Sequence, residues 1–453
     1  MSFDLIKWAM NPFMLMFIAV LSGMLLGKLL KIGTSGALFT GLGIGWGVMK
    51  AANKVVEGGQ GNIGAAERIL KVSVVDKGFF SLFLILFVAA VGLLAADKIA
   101  VIIKKYGAKF ILLGFLITFL GAGTTYLLTI LSDSSNPYEV SGVYTGALTS
   151  SPGLAAALET ARDHASQWAG EYDTLTEHDK NRILSIVSPG NHLSATEVKR
   201  LVPGQVDSLL VNAEAGVGVG HAIGYPFGVL IVILAMRLIP KLFKLDMERE
   251  YETFRREMAA AEEASGVTHI EPVSFDLIAF ALACAGGYTF GMLKVNLGPL
   301  GYFSLGSTGG VLIISLILGY IGKIGFLNFR MDKKILGTIR EVGLAFFLGI
   351  VGLRYGFAVI DSLTGSGLYL AFVSTAVGVV SMVIGFIVGK YVFKINWIML
   401  SGAICGGMTS TPGLGVAIDA VGSDDPAAGY GATYPFALFG MVLFTIILHK
   451  LPM

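Results

Sequence analysis

The sequence predicts an all-α polytopic membrane protein made of two inverted-topology repeats of five transmembrane helices, each repeat carrying a re-entrant or broken Gly/Ser/Thr-Pro-Gly segment. Three observations predict it: ten long apolar segments in a charge-poor chain, a duplicated Pro-Gly motif, and a one-sided distribution of Lys and Arg.

The 453 residues are 54% hydrophobic and only 14% charged, against about 25% charged in a soluble domain. Sixty glycines suit closely packed membrane helices. The formal net charge of +2 is too small to point to a nucleic-acid partner. Cys284 and Cys405 lie far apart in apolar runs, as small core residues, and the histidines show no metal-ligand spacing. Neither a cofactor nor a metal is expected.

Apolar stretches long enough to cross roughly 30 Å of hydrocarbon fall at 13–30, 34–49, 78–96, 110–131 and 216–236, then at 275–293, 306–321, 342–360, 366–389 and 430–448. The first continues past Ser22 and Gly23, so it reads as a crossing rather than a signal peptide. Segments 141–159 (SGVYTGALTSSPGLAAALE) and 401–419 (SGAICGGMTSTPGLGVAID) differ in kind; nine of their nineteen positions are identical at a spacing of 260 residues. Val91-Gly92-Leu93 returns as Val351-Gly352-Leu353, and Tyr225-Pro226-Phe227 as Tyr434-Pro435-Phe436. The chain therefore divides into a first repeat, 1–240, a charged linker, 241–272, and a second repeat, 273–453. A polar insertion at about 160–214 holds five Lys/Arg against eight Asp/Glu and reads as an extramembranous cap. Ser194 and Glu197 within it have capping-box spacing and predict a helix start.

Lys and Arg gather in cytoplasmic loops. If each Pro-Gly segment enters and leaves on one side, each half crosses five times. The basic clusters around 28–31, 98–109, 237–256, 323–340 and 390–394 then share the cytoplasmic side, and the loops 132–140 and 361–367, bare of Lys and Arg, lie outside. Six crossings per half would put two of the clusters outside. An odd number inverts the halves, with both termini and the cap extracytoplasmic and the linker cytoplasmic. The loop 50–77 runs against this vote with five Lys/Arg, unless its segment GAAERILKV is an amphipathic interfacial helix.

Matching interrupted helices in inverted repeats mark a midplane binding site. Pro152 and Pro412 interrupt a helix, and Gly153 and Gly413 permit sharp turns. The freed N–H groups suit a carboxylate, with hydroxyls from Thr149, Ser150, Ser151, Thr409, Ser410 and Thr411 as further donors. Two Gly/Ser packing seams are the plainer alternative. Tyr225 and Tyr434 precede the prolines of the fifth crossings and are either site contacts or neighbours of a kink. Arg354, in the eighth crossing, is either a carboxylate clamp or a snorkelling anchor. Glu159, Asp419 and His221 are candidates for a coupling ion or proton; a solvated mouth for the carboxylates and a packing role for the histidine compete with that reading.

At GALTSSPGLAAALE followed by YPFGV, at GGMTSTPGLGVAID followed by YPFAL, and at FSLGSTGGVLI from Phe303, the chain resembles the aspartate–alanine exchanger family of bacterial transporters. More distantly it is similar to glutamate and citrate carriers with paired re-entrant segments. The resemblance implies ten crossings in inverted five-helix halves, a homodimer, and exchange of amino acids or dicarboxylates. Two departures are the short linker, where many members hold regulatory domains, and the 160–214 insertion.

The function expected is thus a secondary active transporter of small carboxylate-bearing solutes, with alternating, elevator-like access, in the lipid of a bacterial inner membrane. A channel or a nontransporting receptor on the same fold are the alternatives; no TVGYG-like filter is present. An enzyme is not expected, since no catalytic carboxylate pair or Ser/His/Asp set appears.

Overall fold

A computed structural model describes residues 8–30, 33–59, 61–96, 99–131, 136–188, 193–263, 271–296, 302–303, 305–364 and 367–450. The first half runs α1 (Pro12–Leu29), α2 (Ser35–Gly58), α3 (Ile63–Val72), α4 (Lys77–Ala95), α5 (Ile99–Ile130), α6 (Pro137–Ala147), α7 (Ser151–Glu171), α8 (Glu177–Val187) and α9 (Pro203–Leu242). Helix α10 (Met247–Glu263) then leads to α11 (Leu277–Met292), α12 (Gly306–Ile321), α13 (Lys333–Thr364), α14 (Leu368–Ile387), α15 (Trp397–Gly407), α16 (Thr411–Val421) and α17 (Pro426–Lys450). Starts are written in the sequence: Asn11, Asn136 and Asn396 accept from backbone N–H groups of the first turn, as Asp76 and Asp276 do.

The chain is a multi-pass helical membrane protein. Among the described residues seven helices are long and apolar enough to span: α1, α4, α5, α9, α13, α14 and α17. The other three expected crossings are shorter or more polar. Helices α11 and α12 have 16 residues each, about 24 Å, and the second half of α2 reads KAANKVVEG.

Helices α6, α15 and α16 have 11 residues each, about 16 Å or half a bilayer. Helices α6 and α7 fold back as a hairpin, for Tyr138 at the start of α6 hydrogen-bonds His164 far along α7, at 3.0 Å. Helices α15 and α16 do the same. Past Val421 the chain enters α17, whose Pro426 lies against Gly402 in α15. A Cβ at Gly402 would stand 1.7 Å from the Pro426 carbonyl oxygen, and one at Gly142 would stand 2.1 Å from that of Val217. Glycine is required at both because the helix backbones touch. The α6–α7 hairpin opens toward the 160–214 insertion, and the α15–α16 hairpin toward α10.

The insertion is a small helical cap. Ala157, Ala161 and Ala165 of α7 pack with Tyr172, Ile183, Ile186, Leu209 and Ala213 in a core of their own. The expected helix at Ser194 is absent: the Ser194 hydroxyl meets Thr196 in a single turn, and the chain then reaches Pro203 through a bend at Lys199 and Arg200. The cap's helix start is instead Thr176, whose Oγ1 accepts from Asp179 N–H and donates to Asp179 Oδ2 at 2.6 Å.

Segment 63–72 is a helix as the pattern suggested, but its apolar face packs on protein. Ala66 and Ile69 are buried with Leu15, Met16, Ile350 and Leu353. In the linker, α10 buries Phe254 and Met258 and ties three elements together. Glu250 pairs with Lys390 and accepts from Trp397 N–H, and Glu257 accepts from Tyr106.

Candidate functional site

Both hairpins turn on a threonine. Thr149 (φ 53°) and Thr409 (φ 49°) are left-handed, whereas Gly153 and Gly413 lie inside α7 and α16. The sharp turn expected of the glycines thus belongs to the threonines. The prolines sit in the first turns of α7 and α16 after the N-caps Ser150 and Ser410, where a missing N–H costs nothing. Each N-cap hydroxyl accepts from the glycine three residues on, Gly153 at 3.1 Å and Gly413 at 3.2 Å.

The two tips touch. Thr149 Oγ1 lies 3.3 Å from the Met408 carbonyl oxygen and 3.2 Å from that of Thr409, and Thr409 Oγ1 donates to the Leu148 carbonyl at 2.5 Å. These hydroxyls, expected to face a solute, close the tips onto each other. Left-handed backbone is strained for a β-branched residue, and the crossed bonds hold it.

Beside the tips lies a cavity of about 170 Å³. Thr149, Ser150, Thr409, Thr411 and Pro412 line it with Tyr225 and Tyr434. Ser410 is fully buried in its capping role. The side chains of Ser151, Pro152 and Glu159 lie outside the described ones. Sequence reading missed Lys77, at the start of α4, and Ser307 and Thr308, at the start of α12, which complete the lining with apolar Phe80, Leu84 and Phe347. FSLGSTGGVLI was a signal for the α12 contribution; for Lys77 no local pattern existed. Lys77 is exposed and marks the cavity mouth, at the end of α4 away from α10.

Arg354 turns to the connection between α3 and α4. Its guanidinium donates to the carbonyls of Val72, at 3.0 Å, and Val75. Those carbonyls flank Ser73 and Val74, both at positive φ, so the charge braces the α3–α4 turn; Arg354 is not among the cavity-lining residues. His221 hydrogen-bonds Thr145 through Nδ1 at 2.9 Å and stands beside Tyr225. Asp419 lies at the far end of α16, where Thr34 donates to Oδ2 at 2.6 Å and Arg237 interacts electrostatically.

Many apolar helices, with two helical hairpins meeting beside a polar cavity, define a multi-pass membrane protein with a candidate solute site. Residues 15–241 and 279–450 match the aspartate–alanine exchanger family model described as "Predicted Permease Membrane Region", and the chain belongs to that family. A Bacteroides thetaiotaomicron protein called an uncharacterized transporter is 38% identical over 175 residues, 39% of this chain and 33% of the relative. Uncharacterized transporters of Bacteroides fragilis and Rhodopirellula baltica are 39% identical over 169 residues (37% of this chain, 32% of the relative) and 35% over 171 residues (38% and 31%). The matched stretch spans about a third of these curated relatives. No solved structure matches.

Proposed function

We propose that the protein is a secondary active transporter that exchanges small carboxylate-bearing solutes, amino acids or dicarboxylates, across a bacterial inner membrane. Its two halves have inverted topology and alternate access by an elevator-like movement of the paired hairpins. The observation that carries the reading is the meeting of the tips through Thr149 and Thr409 beside a polar cavity. Half-helix N-termini at such a place attract anionic groups. The inversion draws support from the opposite openings of the hairpins and from the matched contacts Gly142–Val217 and Gly402–Pro426. Alternation draws support from an asymmetry: on the cap side the α12 start borders an open cavity, while on the linker side Thr34, preceding α2, is bonded to Asp419.

Counterflow in proteoliposomes tests the reading. Internal unlabelled succinate or aspartate should accelerate uptake of the labelled solute; equal uptake without preload points to a channel, and binding without uptake to a receptor. Cysteines at 165–187 should be labelled from outside, and those at 248–262 only after permeabilisation. Reversed labelling would overturn the topology.

A further inference from the structure

We infer that the cavity selects solutes of net negative charge that carry no ammonium group, dicarboxylates and hydroxydicarboxylates rather than zwitterionic amino acids, and that Lys77 is the residue imposing this choice. The inference rests on the transporter reading for the site's purpose, though not for its charge.

Lys77 is the one formal charge among the described lining residues, and no Asp or Glu accompanies it. Among the described residues no carboxylate pairs with its ammonium; Asp76 next to it is turned to cap Gly78 N–H at 2.6 Å. The remaining polar side chains are neutral hydroxyls, those of Ser81, Ser150, Ser307, Thr308, Thr411, Tyr225 and Tyr434; the Tyr434 hydroxyl donates to the Leu305 carbonyl at 3.5 Å. The starts of α12 and α16 add the positive ends of two helices. The carbonyls ending α6 and α15 at the tips are engaged by the crossed threonines: Leu148 accepts from Thr409, and Met408 and Thr409 from Thr149. A second carboxylate meets the Lys77 ammonium, whereas a solute ammonium meets neutral hydroxyls in the field of a like charge, with no carboxylate among the described lining residues to balance it.

The size agrees. Sites for drug-sized ligands run from about 300 Å³ upward, and this cavity holds about 170 Å³. Solutes of four or five carbons fit that scale.

Succinate and L-aspartate share a carbon skeleton and both carboxylates and differ by the ammonium, so they are the probes. Binding to purified protein by thermal shift or calorimetry, with counterflow read separately, should give succinate at least a tenfold advantage over aspartate. Lys77→Gln should weaken succinate at least tenfold and aspartate less, while Lys77→Arg stays within about threefold of the parent. Lys77 is exposed at a helix start, so these variants should fold; a far-ultraviolet spectrum and gel-filtration profile matching the parent's check it. Aspartate binding as tightly as succinate, Lys77→Gln leaving succinate unaffected, or no binding of succinate at all overturns the inference. Succinate binding without counterflow leaves the anion site standing and rejects transport. Counterflow that favours aspartate does the reverse.

Discussion

Thr149 and Thr409, 260 residues apart, occupy equivalent places in the duplicated motif, and each donates its hydroxyl to the backbone of the other's hairpin tip. A sequence duplication has thus become a contact between the copies. The bonds join the ends of two half-helices and give the carbonyls there a partner within the protein.

Replacing either threonine by valine keeps volume and branching and removes one donor. Each variant should lose about 0.5–1.5 kcal/mol and melt at lower temperature in detergent. Because both bonds serve one junction, the double variant should lose less than the sum. Strict additivity in a thermal-melt cycle would show that the tips do not act together.

Arg354 braces a turn, so its substitution should affect stability and leave recognition intact. Arg354→Met leaves the Val72 and Val75 carbonyls without their donor, at about 1–3 kcal/mol. Protease should then cut near 73–76 sooner, while solute affinity stays within twofold. A tenfold loss of affinity with unchanged protease resistance would restore the clamp reading.

Thr34, preceding α2, donates to Asp419 at the end of α16, a bond that the proposed alternation would break to open the linker side. Asp419→Ala should therefore shift the population toward a state open on that side. A cysteine at Ser35, buried here, should label roughly tenfold faster from the linker side, equivalent to about 1.4 kcal/mol. An unchanged rate would assign Asp419 to packing alone.

His164 makes the cap sensitive to acid. Burial against Tyr138, Trp168 and His449 pushes its imidazole from 6.5 down to about 4, opposed by the Glu171 carboxylate. The unfolded cap binds the proton more readily, so this contribution is complete above about pH 6.5 and declines as pH falls toward 4. Trp168, with its ring 4.5 Å from that of His164, reports it: its fluorescence should change over that window, and His164→Gln should flatten the change. A flat parent profile would contradict the assignment.

The apolar helices, the hairpin breaks and the duplication were all legible in the sequence, because each rests on local chemistry. Apolar length sets a span, an asparagine or serine before proline starts a helix, and identical motifs need only be aligned. Local chemistry also misled. Pro-Gly suggested glycine turns where threonine takes the left-handed conformation, and an arginine amid apolar residues suggested a ligand where it meets two carbonyls 282 and 279 residues away. What the tertiary structure alone decided is which distant groups share a space. Lys77, Ser307 and Thr308 join the tips in one cavity, and Asp419 belongs to Thr34 rather than to that cavity. Side-chain partners so far apart in the chain are chosen by helix packing, and no periodicity or spacing within a single segment encodes them.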